Sequence, residues 1–201
     1  IKIYKTLGKL INFKNELTLK RETLKHPNLG IGHIRWATHG GPSLVNAHPH
    51  TCTCGKLVVV HNGIIENYKE LREILRAKGC CFRSQTDTEV IAHLIADEYA
   101  KTQNLENAVR NSVKKLQGAY AICVIHKNEA DVIVGARKHA PMLVGLGEGE
   151  NFIASDTPAI IEYTKKVVSI SYKHSPPPFF IMKTFLNSDF YISMSNGLKQ
   201  S

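Results

Sequence analysis

The spacing of apolar residues changes at Gly118, and this change restricts the fold more than any other feature of the sequence. Before it, residues 66–116 hold three stretches with apolar side chains at helical spacing. After it, residues 119–154 hold four short stretches of strand character, separated by polar or glycine-rich turns. Helices followed by strands predict an α+β layered domain rather than alternating βαβ units.

The first and third predicted helices are amphipathic. Residues 66–78 place Leu71, Ile74 and Leu75 on one face, which predicts that this face is buried. Asn104 is expected to cap the third helix, because its side-chain oxygen can accept a hydrogen bond from an unpaired backbone N–H group.

The start of the second helix also offers a carboxylate. Ser84 or Thr86 can cap this helix, and the acidic residues of its first turn face unpaired backbone N–H groups. For Asp87 alone, a structural role at the helix start is therefore the ordinary interpretation.

A run of β-branched residues at 57–60 predicts a buried strand. The run leads into His61, Asn62 and Gly63, and Asn-Gly is a strong signal for a tight turn. A hairpin turn is the ordinary interpretation of Asn62 and Gly63.

A loop rich in polar side chains follows a predicted strand at residues 30–37. Residues 32–40 contain the only tryptophan, together with an arginine, a threonine and two histidines, and residues 40–42 favour a turn. Polar side chains that face one way from such a loop suit a small polar ligand. An ordinary strand end is the alternative, and His48 and His50 are then surface-loop residues.

Composition excludes several classes of protein. The 201 residues, 43% hydrophobic and 21% charged, fit one globular domain. No apolar run approaches the roughly 20 residues of a membrane span. The net charge of +9 is scattered, which favours a solvated basic surface over nucleic-acid binding. The five cysteines lack the spacing of a disulfide scaffold, which predicts a reducing compartment. No second pair of metal ligands accompanies Cys52 and Cys54, so we expect no metal site.

Four stretches in order resemble the glutaminase domain of the glutamine–fructose-6-phosphate aminotransferase (isomerizing) family, which are class II glutamine amidotransferases. The stretches are GHIRWATHG at 32–40, NAHPH at 46–50, VVHNGIIEN at 59–67 and SQTDTEV at 84–90. The resemblance implies a four-layer αββα sandwich of the N-terminal-nucleophile hydrolase type, truncated in this chain. The domain is expected at residues 1–168, incomplete at its N-terminus, with a divergent or disordered tail at 169–201.

The resemblance also implies how glutamine is bound. Arg35 would bind the carboxylate of the substrate through a guanidinium fork, and Asp87 would bind its ammonium group. Asn62 and the backbone N–H of Gly63 would form an oxyanion hole. Three further residues are assigned to the substrate pocket: Trp36, Thr38 and His39.

The activity that the resemblance implies is hydrolysis of glutamine. Separate isomerase domains would use the ammonia to convert fructose 6-phosphate into glucosamine 6-phosphate in the hexosamine pathway. We expect no cofactor, no nucleic acid and no membrane, a cytoplasmic location, and a homo-oligomer at full length. The family's nucleophile is an N-terminal cysteine, and no cysteine precedes Arg35, so the chain alone is expected to be inactive. The alternative is a module that binds glutamine without turnover.

Overall fold

The computed structural model describes residues 1–20, 28–35, 41–169, 179–183 and 191–194. The α-helices are α1 (Leu10–Leu19), α2 (Tyr68–Ala77), α3 (Thr88–Thr102) and α4 (Leu105–Val113). The strands are β1 (His50–Thr51), β2 (Leu57–Ile65), β3 (Gly118–His126), β4 (Glu129–Lys138), β5 (Leu143–Leu146), β6 (Asn151–Ala154), β7 (Lys166–Ser169), β8 (Phe179–Lys183) and β9 (Tyr191–Met194). A short 3-10 helix spans Thr157–Ala159.

Two antiparallel sheets form the centre of the fold. The larger sheet has six strands in the order β1-β2-β3-β4-β8-β9, and the smaller has three in the order β6-β5-β7. Neighbouring strands in both sheets run antiparallel. The predicted α+β class is therefore confirmed.

One face of the large sheet packs against the helices. Leu57 and Val59 of β2 join a core cluster that includes Ile91 and Ile95 of α3 and Val109 of α4. All five side chains are fully buried, and each contributes about 1.5–3 kcal/mol through removal of its apolar surface from water. The helices and the central strands thus share one core.

The opposite face of the large sheet packs against the small sheet. Val144 of β5 lies beside Ile153 of β6 and Val168 of β7, and this row packs with Ala121 of β3. A Cβ atom on Gly145 would lie 2.6 Å from Cδ1 of Ile160, so the segment after the 3-10 helix covers the outer face of β5. The described residues thus supply a helical layer and two sheets of the expected sandwich.

The strand β2 continues through Asn62 and Gly63, so the prediction of a hairpin turn there is wrong. Gly63 pairs with Tyr120 of β3, and the pairing extends to Ile65. Gly63 has a φ of +122°, and a Cβ atom at this position would lie 2.1 Å from the carbonyl oxygen of Ala119. The Asn-Gly signal marks a close approach between two strands rather than a chain reversal.

Other expectations near the site have mixed outcomes. Asn104 caps α4 through a hydrogen bond from the backbone N–H of Asn107, as predicted. Leu71 and Leu75 of α2 are buried, whereas Ile74 is 49% exposed, because the buried face of this short helix is narrower than its apolar pattern.

Two local predictions are wrong for residues that the structure describes. The N-cap of α3 is Asp87 rather than Ser84 or Thr86. Residues 30–35 form no strand, and the rest of that predicted strand lies outside the described residues. Two short strands, β8 and β9, lie within the stretch 169–201. The domain boundary at residue 168 stays a prediction.

Replacement of Gly63 by alanine should destabilise the fold. The added Cβ meets backbone atoms of β3 that cannot move aside, and the positive φ disfavours a side chain. We expect a loss of roughly 2–4 kcal/mol in the free energy of unfolding, measured by urea denaturation. Gly30→Ala is the control, because its Cβ would have no atom within 4 Å. Equal urea midpoints for the two variants would contradict this account.

Candidate functional site

A buried carboxylate links the end of β2 to the start of α3. Asp87 occupies the N-cap position of α3, but its side chain accepts no capping hydrogen bond. Its Oδ2 atom instead accepts a hydrogen bond of 2.8 Å from the backbone N–H of Ile65. The carboxylate is thereby held beside the strand that carries Asn62 and Gly63.

The charge of Asp87 has little compensation from its surroundings. Asp87 is only 4% exposed, and Nδ1 of the His61 imidazole lies 4.0 Å from its Oδ2. Among the described residues, no lysine or arginine lies within 4.0 Å of this carboxylate, and its Oδ1 accepts no hydrogen bond. A buried carboxylate is costly without a cationic partner, so the site favours a bound cation at this position.

Two histidines contact the hydroxyl group of Thr88, and a third histidine packs against one of them. Its Oγ1 lies 3.1 Å from Nε2 of His48 and 3.0 Å from Nδ1 of His61. The ring of His33 packs against that of His48, with 3.9 Å between the centroids. Because a hydroxyl can donate one hydrogen bond and accept another, Thr88 can join the two imidazoles in their neutral forms.

His33 fixes the orientation of the Asn62 amide. Its Nε2 donates a hydrogen bond of 2.7 Å to Oδ1 of Asn62. With the oxygen occupied, the Asn62 amide presents its N–H₂ group as a donor. Asn62 and Gly63 are adjacent and exposed near the end of β2, which leaves them accessible to a ligand.

Asn46 connects the loop of Arg35 to the start of α3. Nη1 of Arg35 and Nδ2 of Asn46 both donate to the carbonyl oxygen of Gly41, at 3.5 and 3.0 Å. Oδ1 of Asn46 accepts from the backbone N–H of Gln85 at 3.0 Å. Sequence reasoning assigned Asn46 no role, and the only signal for it was its place in one of the four matching stretches.

The structure brings four of the predicted residues into one region. Asn62 and Gly63 lie two or three residues before Ile65, which bonds Asp87, and Arg35 lies two residues after His33, which bonds Asn62. The three remaining predicted residues fall outside the described part of the chain: Trp36, Thr38 and His39.

Burial lowers the pKa of His48 and of His50, which favours the neutral imidazole in both. Burial, together with the neighbouring imidazoles and Arg35, places the pKa of His48 far below its usual value. Burial and Lys5 lower the pKa of His50 to about 4, although Glu89 opposes this shift. His50 is 3% exposed and its Nε2 lies 3.1 Å from Oγ1 of Thr86. The interpretation of His50 as a surface-loop residue is therefore wrong.

Glu89 organises the segment that leads into α3. Its carboxylate accepts hydrogen bonds from the backbone N–H groups of Arg83 and Ser84 and from the Ser84 hydroxyl. Burial alone would raise the pKa of Glu89, but His93, Ser84 and these N–H groups together lower it to about 2. Glu89 is thus a charged structural anchor for the segment that carries Asp87.

Comparison with known protein families identifies the domain. Residues 43–162 match the family described as "Glutamine amidotransferase domain". The chain belongs to this family. The match includes Asn46, Asn62, Gly63 and Asp87, whereas Arg35 lies before its first residue.

Individual relatives agree with the family match. The chain is 59% identical over 139 residues to the glutamine–fructose-6-phosphate aminotransferase [isomerizing] of Aquifex aeolicus, which covers 69% of this chain and 23% of that protein. It is 50% identical over 168 residues to the protein of that name from Methanothermobacter thermautotrophicus, with 84% and 28% covered. The chain thus spans about a quarter of the length of these relatives.

Solved structures extend the comparison to the fold. The glutamine phosphoribosylpyrophosphate amidotransferase of B. subtilis superposes with a TM-score of 0.61 at 26% identity, over 81% of this chain and 34% of that one. A structure described as the allosteric regulatory enzyme of purine biosynthesis gives 0.64 at 25% identity, with the same coverage. The predicted N-terminal-nucleophile hydrolase sandwich is confirmed at this level.

Two features are absent from the described ranges: a metal-binding group and a membrane-spanning helix. There, no group of three or more His, Cys, Asp or Glu side chains could hold a metal ion. In the same part of the chain, no helix has the length and apolar character that a bilayer crossing needs.

The neutral histidines predict a loss of stability in mild acid. Below pH 6.5 the unfolded chain binds protons on these histidines, whereas folded His50 stays neutral down to about pH 4. The unfolded state then binds more protons, so stability falls as pH decreases from 6.5 towards 4, by about 1.4 kcal/mol per pH unit for each such histidine. Urea denaturation at pH 7, 6 and 5 measures this slope.

The variant His50→Gln tests the origin of this dependence. Glutamine can keep a hydrogen bond to Thr86 but does not titrate, so the slope between pH 6 and 5 should decrease by about 1.4 kcal/mol per pH unit. An unchanged slope in this variant would contradict the assignment to His50.

Proposed function

We propose that this chain is the glutaminase domain of a longer glutamine–fructose-6-phosphate aminotransferase. It binds glutamine and holds the side-chain amide for hydrolysis, and the ammonia then serves glucosamine 6-phosphate synthesis. The observation that carries the proposal is the buried Asp87, which lies beside the Asn62-Gly63 end of β2 and has no lysine or arginine within 4.0 Å among the described residues. The names of the curated relatives support the same activity.

The ammonium group of free glutamine suits Asp87. One carboxylate oxygen of Asp87 accepts a hydrogen bond from the backbone N–H of Ile65. The other oxygen can therefore accept a hydrogen bond from a ligand without a rearrangement of the helix start. A cation bound there would offset the cost of the buried negative charge. A charge-assisted hydrogen bond of this kind is about twice as strong as a neutral one.

The carboxylate group of glutamine suits Arg35. Its guanidinium contacts Gly41 at the long distance of 3.5 Å, and its planar fork matches a carboxylate in two parallel hydrogen bonds. Gly41 is tied through Asn46 to the segment before Asp87. One bound amino acid could therefore contact both charged residues.

Asn62 and Gly63 would act on the amide end of the substrate. His33 turns the Asn62 amide so that N–H₂ points away from the bonded oxygen, and a tetrahedral intermediate needs such donors for its oxyanion. The nucleophile that the family resemblance implies is an N-terminal cysteine. Glutamine binding is tested on the 201-residue chain, and turnover is tested on the longer protein.

Isothermal titration with L-glutamine tests the proposed pocket. Arg35→Ala and Asp87→Asn should each weaken binding roughly tenfold to a hundredfold, because each removes a hydrogen bond between charged groups. Asn62→Ala should change the affinity less than about threefold, since its donor acts on the oxyanion of the transition state. Arg76→Ala, at an exposed position of α2, controls for loss of an arginine.

Two glutamine analogues separate the two ends of the pocket. 4-Carbamoylbutanoate lacks the ammonium group and glutaminamide lacks the carboxylate. If Asp87 binds the ammonium, Asp87→Asn should lower the affinity for glutamine but leave the affinity for 4-carbamoylbutanoate nearly unchanged. If Arg35 binds the carboxylate, Arg35→Ala should lower the affinity for glutamine but leave the affinity for glutaminamide nearly unchanged. Equal losses for glutamine and its analogue in either variant would refute that residue's role. Circular dichroism spectra confirm that each variant is folded.

The alternative is a module that senses glutamine without turnover. The glutamine amidotransferase family and the enzyme names of the relatives favour the catalytic domain. Glutaminase activity is tested on the longer protein with Asn62→Ala, where kcat should fall about a hundredfold or more while KM stays similar. An unchanged kcat in the variant would refute the role of Asn62, and absence of glutaminase activity in the longer wild-type protein would favour the sensor.

A further inference from the structure

The turn between β1 and β2 carries two thiols in contact. Sγ of Cys52 lies 2.7 Å from Sγ of Cys54, well inside the roughly 3.5–4.0 Å that nonbonded heavy atoms usually keep. The backbone N–H of Gly55 donates to the carbonyl of Cys52 at 3.0 Å, and Gly55 has a φ of +66°, which closes the turn around the pair. None of the proposed glutaminase steps uses these two thiols.

The two thiols differ in exposure. Cys54 is exposed, whereas Cys52 is 3% exposed and belongs to the helix-facing core cluster. Burial and the contact with Cys54 raise the pKa of Cys52. An attacking reagent therefore reaches Cys54 first, while Cys52 stands directly behind it. This arrangement suits a pair in which one thiol reacts and the second resolves the product.

We propose that Cys52 and Cys54 form a reversible intramolecular disulfide by exchange with a small-molecule disulfide such as oxidised glutathione. The two sulfurs must approach by only about 0.7 Å to reach a bond length of about 2.05 Å. This site is separate from glutamine binding and does not depend on the proposed function.

The exchange conserves atoms and electrons. The Cys54 thiolate attacks one sulfur of glutathione disulfide, which forms a mixed disulfide and releases one glutathione thiolate. The Cys52 thiol then passes its proton to a glutathione thiolate and attacks Sγ of Cys54, which releases the second glutathione. Protein dithiol is oxidised by two electrons, and one glutathione disulfide is reduced to two thiols.

The other cysteines lack this arrangement. Burial raises the pKa of Cys123 to about 12, which suppresses its thiolate. Burial also raises the pKa of Cys80. Cys80 and Cys81 are adjacent in sequence, so a disulfide between them would force strained geometry. A third metal ligand is also absent near Cys52 and Cys54 among the described residues, which favours disulfide chemistry over metal binding.

Tryptic peptides separate the three sets of thiols. Cys52 and Cys54 fall in peptide 36–56, Cys80 and Cys81 in peptide 79–83, and Cys123 in peptide 116–127. The reduced 201-residue chain is equilibrated with graded ratios of oxidised to reduced glutathione, alkylated with N-ethylmaleimide, digested and weighed by mass spectrometry. On oxidation, peptide 36–56 should lose the mass of two hydrogen atoms relative to its reduced form and should carry no N-ethylmaleimide. We expect this at a ratio of oxidised to reduced glutathione at least about tenfold lower than the ratio that oxidises peptide 79–83. Dithiothreitol should restore two labelled thiols.

Variants identify the attacking and resolving thiols. Cys52→Ser should trap a stable glutathione adduct on Cys54, because the resolving thiol is gone. Cys54→Ser should leave the buried Cys52 free of adduct under the same conditions. The double replacement of Cys80 and Cys81 by serine is the matched control and should leave oxidation of peptide 36–56 unchanged. Three outcomes would each overturn the proposal. Peptide 36–56 could keep two labelled thiols at every glutathione ratio, it could end as a glutathione adduct in the wild-type chain, or it could form a cross-link to another peptide.

Discussion

The hydrogen bond from the Ile65 N–H to Asp87 is the contact on which the site depends. It joins the last residue of β2 to the residue that starts α3, so the strand and the helix keep one relative position. β2 reaches Ile65 only because Gly63 lets the backbone pass close to Ala119 of β3. A side chain at residue 63 would push β2 away from β3 and move the N–H group that holds the carboxylate.

Behind Asp87, short polar side chains stabilise groups that would otherwise be costly to bury. Thr88 lies between His48 and His61, and Thr86 contacts His50, so each of these imidazoles has a hydroxyl partner. Glu89 keeps its charge because backbone N–H groups and a hydroxyl surround it. Asp87 differs from Glu89, since only one of its oxygens is bonded within the described chain. This difference in hydrogen bonding between the two carboxylates supports the proposed binding role of Asp87 and a structural role of Glu89.

The sequence predicted the elements with strong periodicity and missed those set by tertiary contacts. The helices after residue 66, the strands after Gly118 and the cap at Asn104 followed from local patterns, because burial and capping leave regular traces. The Asn62-Gly63 turn failed because the same two residues also suit a close strand approach, and local sequence cannot separate the two. The burial of His50 and the bridge made by Asn46 depend on partners that lie 36 and 39 residues away. The proposed roles of Arg35 and Asp87 came from resemblance rather than from spacing.

The two ends of the proposed pocket are supported in different ways. Asp87, Asn62 and Gly63 lie on a helix start and a paired strand, so their positions follow from the core. Arg35 lies in a loop without strand pairing, and its hydrogen bond to Gly41 leads to the start of α3 through Asn46 and Gln85. Because a packed strand holds its side chains more rigidly than a loop does, the proposed ammonium and amide ends would set the position of a ligand.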